Sequence, residues 1–133
     1  MRKTHHYQEE IKEWIAKAEG DLIAAEAILT AKAPGWAAGF HCQQAVEKIL
    51  KALLLYSANS YPKEHDLTKL YQLANKTGSD ITLVKKEIFV LTDYYVGSRY
   101  PGIKQSEITL KQAKQAYNNA RRVFDFVAEL IDF

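Results

Sequence analysis

Apolar residues recur along most of this chain at spacings of three and four, the period of an amphipathic helix. Ile11, Trp14, Ile15, Ala18, Leu22, Ala25, Ile28 and Leu29 form a first such stripe. Pro34 removes an amide donor and disfavours helical geometry in the residue before it, and Gly35 follows, so this helix is expected to end near Ala33. A second helix from about Gly35 to Ser57 buries Cys42, Ala45, Val46, Ile49, Leu50, Ala52 and Leu53. Asn59-Ser60-Tyr61-Pro62 then reads as a turn. Leu67, Leu70, Tyr71 and Ala74 predict a short third helix, with Asp66 as its N-terminal cap and Gly78 closing it.

Ser79 or Asp80 can cap a fourth helix, whose stripe is Ile81, Val84, Ile88, Leu91 and Tyr95. The segment Gly97 to Gly102 ends it. Ile108, Ala113, Ala116, Tyr117, Ala120, Val123, Phe124, Val127 and Leu130 continue a core face over about 25 residues, a usual length in bundles. No period-two alternation and no internal repeat interrupts the pattern. The expected fold is all-α: an antiparallel up-and-down bundle of four long helices with the short third helix alongside.

Composition fits one folded domain over residues 1–133, with residues 1–8 frayed, since 47% of residues are apolar and 26% charged. The net charge of +2, from 18 basic and 16 acidic side chains spread along the chain, gives no general attraction for nucleic acid or membrane. Any polyanion site must therefore be local. The polar start and the lack of a long apolar run predict a soluble, cytoplasmic protein with no membrane partner. Cys42 is the sole cysteine, so no internal disulfide forms, and on the apolar side of its helix it is expected to be a buried, inert thiol.

The second helix holds the strongest candidate chemistry. At about 100° per residue, His41, Gln43, Gln44, Glu47, Lys48 and Lys51 fall within an arc of roughly 160°. Phe40 sits in the middle of that arc, as expected where a partner, a base or another helix covers the face. On one reading Glu47 and Lys51 are a solvated i to i+4 ion pair and the rest is surface. On the other, His41, Gln44, Lys48 and Lys51 line a cleft for an anion. His65-Asp66 opens the third helix, either as a simple Asp cap or as an anion site built on helix amides. Arg99 lies among Tyr94, Tyr95 and Tyr100, a combination suited to phosphate binding and base stacking, or else Arg99 pins its loop to Glu47 or Asp66. A metal site is not expected, because no His pair has helical ligand spacing, and no glycine-rich phosphate loop follows a strand.

In order, Trp14, Ala18, Asp21-Leu22, the run from Phe40 to Ala52, His65-Asp66-Leu67 and Ser98-Arg99-Tyr100-Pro101 together resemble the HEPN domain family, from about Trp14 to about Val127. The resemblance implies a bundle of four or five helices, often a homodimer, in prokaryotes commonly encoded beside a minimal nucleotidyltransferase. It also implies likeness to the helical domain of kanamycin-type nucleotidyltransferases, which helps hold nucleotide or substrate. Many members are metal-independent RNase toxins that use an Arg followed, after four to six residues, by a His. This chain departs from that motif: no His follows Arg99, Arg121 or Arg122, and His5 and His6 come too soon after Arg2. The expectation is therefore a non-catalytic subunit without a cofactor, binding a nucleotide or RNA and a nucleotidyltransferase-domain partner. Its ligand-binding residues are Phe40, His41, Gln44, Glu47, Lys48, Lys51, His65, Asp66, Tyr95, Arg99 and Tyr100. An RNase would need an unconventional site of His41, His65 and Arg99, and a third possibility is a purely structural dimerisation module.

Overall fold

The computed structural model describes residues 6–77, 79–92, 94 and 108–132, and among these every regular element is helical. Among the described residues the α-helices with described bounds are, in order, α1 (Gln8–Thr30), α2 (Gly35–Ala58), α3 (Leu67–Lys76), α4 (Lys85–Leu91) and α5 (Leu110–Leu130). A single 3-10 turn, Thr82–Val84, leads into α4. The chain is a packed helical bundle, as the 3.6-residue periodicity predicts.

Helix α1 stops three residues before the expected Ala33. Lys32 turns into the left-handed region at φ 55°, and its amide and that of Ala33 bond back to the carbonyls of Leu29 and Ile28. This six-to-one and five-to-two pairing is a Schellman closure, which usually carries glycine where Lys32 stands. The four-residue link 31–34 then returns the chain along α1. Gly35 opens α2 against the start of α5: a Cβ there would lie 2.7 Å from the Ile108 carbonyl oxygen and 3.1 Å from that of Thr109. At the other end Asn59, at φ 60°, takes the left-handed position that asparagine tolerates well.

Two caps predicted from sequence are made. The Asp66 carboxylate accepts from the Thr68 amide at 2.9 Å. Asp80 rather than Ser79 caps the fourth segment, accepting from the amide and hydroxyl of Thr82 at 3.1 and 2.7 Å. The structure adds a third: Thr109 and Gln112 bond reciprocally in a capping box that starts α5. The expected fourth-helix stripe is buried at Ile81, Val84, Ile88 and Leu91, whereas Gly78 and Tyr95 lie outside the described residues. Leu130, expected on the core face, is exposed at the last turn of α5.

Helix α2 is the hub, because it packs against α1, α3, α4 and α5. That position explains why its burial extends past the apolar arc to Gln43, Glu47 and Lys51. Cys42 is fully buried, and burial, reinforced by the negative charge of Asp21, pushes its thiol from an ordinary value of 9.0 to about 12. A thiol so raised carries no nucleophilic thiolate near neutrality, as expected of a core cysteine. No described helix is long and apolar enough to cross a membrane.

Candidate functional site

The polar arc of α2 organises around two carboxylates. Asp21 lies on α1 within the apolar run Ala18, Leu22, Ala25, so the packing of α1 on α2 carries it to the interface, where it is 9% exposed. One oxygen accepts from Nδ1 of His41 at 2.9 Å and the other from Nζ of Lys48 at 2.6 Å. His41 and Lys48 stand two turns apart on one face of α2, and a single carboxylate spans them. An ionised carboxylate only accepts, so Nδ1 of His41 carries the proton in this contact.

Glu47 anchors the second group. Its Oε2 accepts from Nζ of Lys51 at 3.0 Å and from Nδ1 of His65 at 2.8 Å, and the Gln44 amide reaches Oε1 at 3.4 Å. Lys51 and Glu47 keep only 6% and 7% of their side-chain surface. The Lys51 ammonium also stands 5.8 Å from the Trp14 ring centroid, within cation–π range. The i to i+4 pair, solvated on the first of the two readings above, is therefore buried, because α2 has neighbours on that side as well. Lys51 and Glu47 join α2 to α1 and to the start of α3.

Gln43 and Gln44 extend the second group. The Gln44 amide donates to Oε1 of Gln43 at 2.8 Å, and the Gln43 amide donates to the His65 carbonyl at 3.4 Å. Gln43 is fully buried.

At the start of α3 the chain's own carboxylates meet three backbone amides. Glu64 accepts from the amides of His65 and Asp66 at 3.1 and 3.2 Å, and Asp66 takes the amide of Thr68. The chain's own carboxylates occupy this end of the helix, and the two backbone bonds hold Glu64 below the usual carboxylate range. Beside it opens a pocket of about 480 Å³ bordered by Gln43, Glu64, His65, Asp66, Thr68 and Thr92. Its character is acidic.

Of the residues expected to bind a ligand, His41, Gln44 and Lys48 form one partly exposed row, with Phe40 half-buried and its ring edge-on to His41 at 5.8 Å between centroids. Glu47, Lys51, His65 and Asp66 form the second, more enclosed group. Tyr95, Arg99 and Tyr100 lie outside the described residues. Sequence reasoning passes over Asp21, Gln43 and Glu64 as site residues. The signal for Asp21 is an acid inside an apolar helical stripe. Gln43 belongs to the candidate arc, but its place at the arc's edge gives no sign that it is fully buried. Among the described residues no three His, Cys, Asp or Glu side chains cluster as metal ligands.

The HEPN domain family model matches residues 11–130, nearly the whole chain. The chain belongs to the HEPN domain family. Among solved structures this HEPN chain is similar to TT1696 from Thermus thermophilus, with a TM-score of 0.79 at 26% identity over 90% of this chain and 96% of that one. It shares its fold with ST0689, an archaeal HEPN homologue, with a TM-score of 0.72 at 24% identity over 91% and 97% of the two chains. No curated protein matches it.

Proposed function

We propose that this HEPN chain is a non-catalytic, homodimeric subunit that binds a nucleotide or a protein partner along α2 and works with a nucleotidyltransferase carried on another chain, as a module of the toxin–antitoxin kind. The observation that carries this reading is the partly open row His41, Gln44, Lys48, whose His41 and Lys48 are held from behind by Asp21. A fixed lysine beside a carboxamide offers charge and directional donors to a phosphate without the entropy loss of ordering them on binding, and His41 adds a donor only in its doubly protonated form. The missing Arg-to-His motif supports a binding role over RNA cleavage.

The test is calorimetry with nucleotides on the wild type, Lys48→Ala and Arg99→Ala, together with co-purification against a nucleotidyltransferase encoded beside it. Nucleotide binding that weakens in both variants supports the reading. No nucleotide binding and no association with the enzyme would sink it.

One contact favours a second reading, an RNase with a non-standard site. Because Asp21 accepts from Nδ1 of His41, the lone pair of that imidazole sits on Nε2, the arrangement of a general base oriented by a carboxylate. RNA cleavage by the purified protein that disappears in His41→Ala would promote this reading over the first.

A further inference from the structure

The corner between the start of α1 and the link from α2 to α3 holds chemistry that the α2 row does not use. Trp14, on α1, and Tyr61, in the link, meet edge to face, with ring centroids 5.3 Å apart and planes at 85°. The Tyr61 hydroxyl donates to Oε2 of Glu10 at 2.8 Å, which ties the link to the first turn of α1. Glu10, Glu13 and Lys17 complete the border of a cavity of about 330 Å³ beside the two rings, at the small end of the range for binding pockets.

Three features suit this cavity to a cation. Trp14 already attracts one, since the Lys51 ammonium lies 5.8 Å from its ring centroid, and Lys51 itself does not border the cavity. Glu10 is met by the neutral Tyr61 hydroxyl and by no cation, so its charge is unmatched. Glu13 has Lys17 at 3.6 Å, but more than half of each side chain lies in water, and such a pair is weak enough to exchange partners. Two carboxylates against one lysine leave the border with one negative charge to spare.

Arginine matches the corner better than lysine does. A planar guanidinium stacks on an aromatic face while it forks into a carboxylate, whereas an ammonium is a compact and strongly hydrated charge. Tryptophan, tyrosine and arginine are also the side chains that dominate the binding energy of protein interfaces. We propose that this corner is the docking point for an arginine of a partner protein, with Glu10 and Glu13 meeting its charge and Trp14 and Tyr61 its flat face. The site is separate from the row His41, Gln44, Lys48 and stands or falls without it.

Trp14 supplies the signal for a test. A capped tripeptide with arginine at its centre, and counterparts with citrulline or lysine there, are titrated to tens of millimolar into isotopically labelled wild-type protein while both indole N–H signals are followed. Citrulline keeps the shape of arginine and lacks its charge. The arginine peptide should shift the Trp14 signal to saturation and leave that of Trp36, an exposed tryptophan away from the cavity border, where it was. Citrulline should bind about tenfold more weakly and lysine about threefold more weakly. Combining Glu10→Gln with Glu13→Gln keeps both rings and should weaken the arginine peptide by about fivefold. An unmoved Trp14 signal overturns the proposal, as does citrulline or lysine binding as tightly as arginine. Equal affinity in the double variant overturns it as well, and the variant's remaining signals, matching the wild type, show that it is folded.

Discussion

Lys51 stands one turn beyond Glu47 on α2, and its ammonium lies 3.0 Å from a carboxylate that also receives His65. Both members of the pair are more than nine-tenths buried. Such a pair adds little net stability over an apolar replacement of both, but breaking it strands a charge. Lys51→Met should therefore lower unfolding free energy by about 3–5 kcal/mol, and adding Glu47→Gln should restore part of the loss. Urea unfolding of the two single variants and the double variant measures this, and additive losses would show that the pair is not coupled.

Gly35 faces backbone rather than a yielding side chain, since its hypothetical Cβ would lie 2.7 Å from the Ile108 carbonyl oxygen. Gly35→Ala must push the start of α5 away from α2 and should cost roughly 1–3 kcal/mol. Gly20, with nothing within 4 Å of its added Cβ and a position inside α1, is the contrast. Gly20→Ala should stabilise by about 0.5–1 kcal/mol. Thermal unfolding of the two variants should move in opposite directions.

Lys32 occupies the left-handed closing position of α1. A non-glycine residue there costs about 1–2 kcal/mol, while glycine loosens the unfolded chain by about 0.4–1 kcal/mol. Lys32→Gly should thus raise stability by up to about 1 kcal/mol. A lower melting temperature would contradict the Schellman closure.

The fold is legible in the sequence wherever burial follows a single stripe, as in α1 and α5, and the caps at Asp66 and Asp80 are legible because their chemistry is local. The candidate site is legible only in part, for a physical reason. A polar arc on one helix says nothing about how many neighbours that helix has. Helix α2 packs against all four others, so Glu47 and Lys51 are enclosed where their spacing alone suggests a solvated pair. Asp21 pairs with residues twenty and twenty-seven positions away, a separation no local pattern encodes. The occupied amides at the start of α3 depend on Glu64 folding back on its own next two residues, which spacing permits but does not require.

Cys42 gives a pH dependence with a definite sign. Its thiol rises from 9.0 to about 12 in the folded protein, so the unfolded chain loses this proton first as pH rises. The contribution is fully present below about pH 9 and is lost progressively up to about pH 12, at a slope of about 1.4 kcal/mol per pH unit for one proton. Comparing wild type with Cys42→Ala removes the shared titration of lysines and tyrosines. The wild type should lose stability relative to the variant as pH rises above about 9, and a thiol reagent at about pH 8 should react only after unfolding. Prompt labelling of the native protein would contradict the burial.

The strength of the Asp21 group can be measured against an exposed pair on α1. Lys17 and Glu13 lie 3.6 Å apart with more than half of each side chain in water, whereas Lys48 and Asp21 lie 2.6 Å apart with 26% and 11% exposed. Solvent screens the first pair to about 0.3–0.5 kcal/mol. A double-mutant cycle of Asp21→Asn and Lys48→Met should give a coupling of at least about 1 kcal/mol, because the charge-assisted bond is largely withdrawn from water. Asp21→Asn alone should also free His41, since an amide no longer fixes Nδ1 as the protonated nitrogen. The readout is the tautomer of His41 by nitrogen NMR, which shifts toward the free-imidazole mixture in Asp21→Asn and stays fixed in Lys48→Met. An unchanged tautomer in Asp21→Asn would mean that something other than this carboxylate holds the ring, and the binding row would then lose its support from α1.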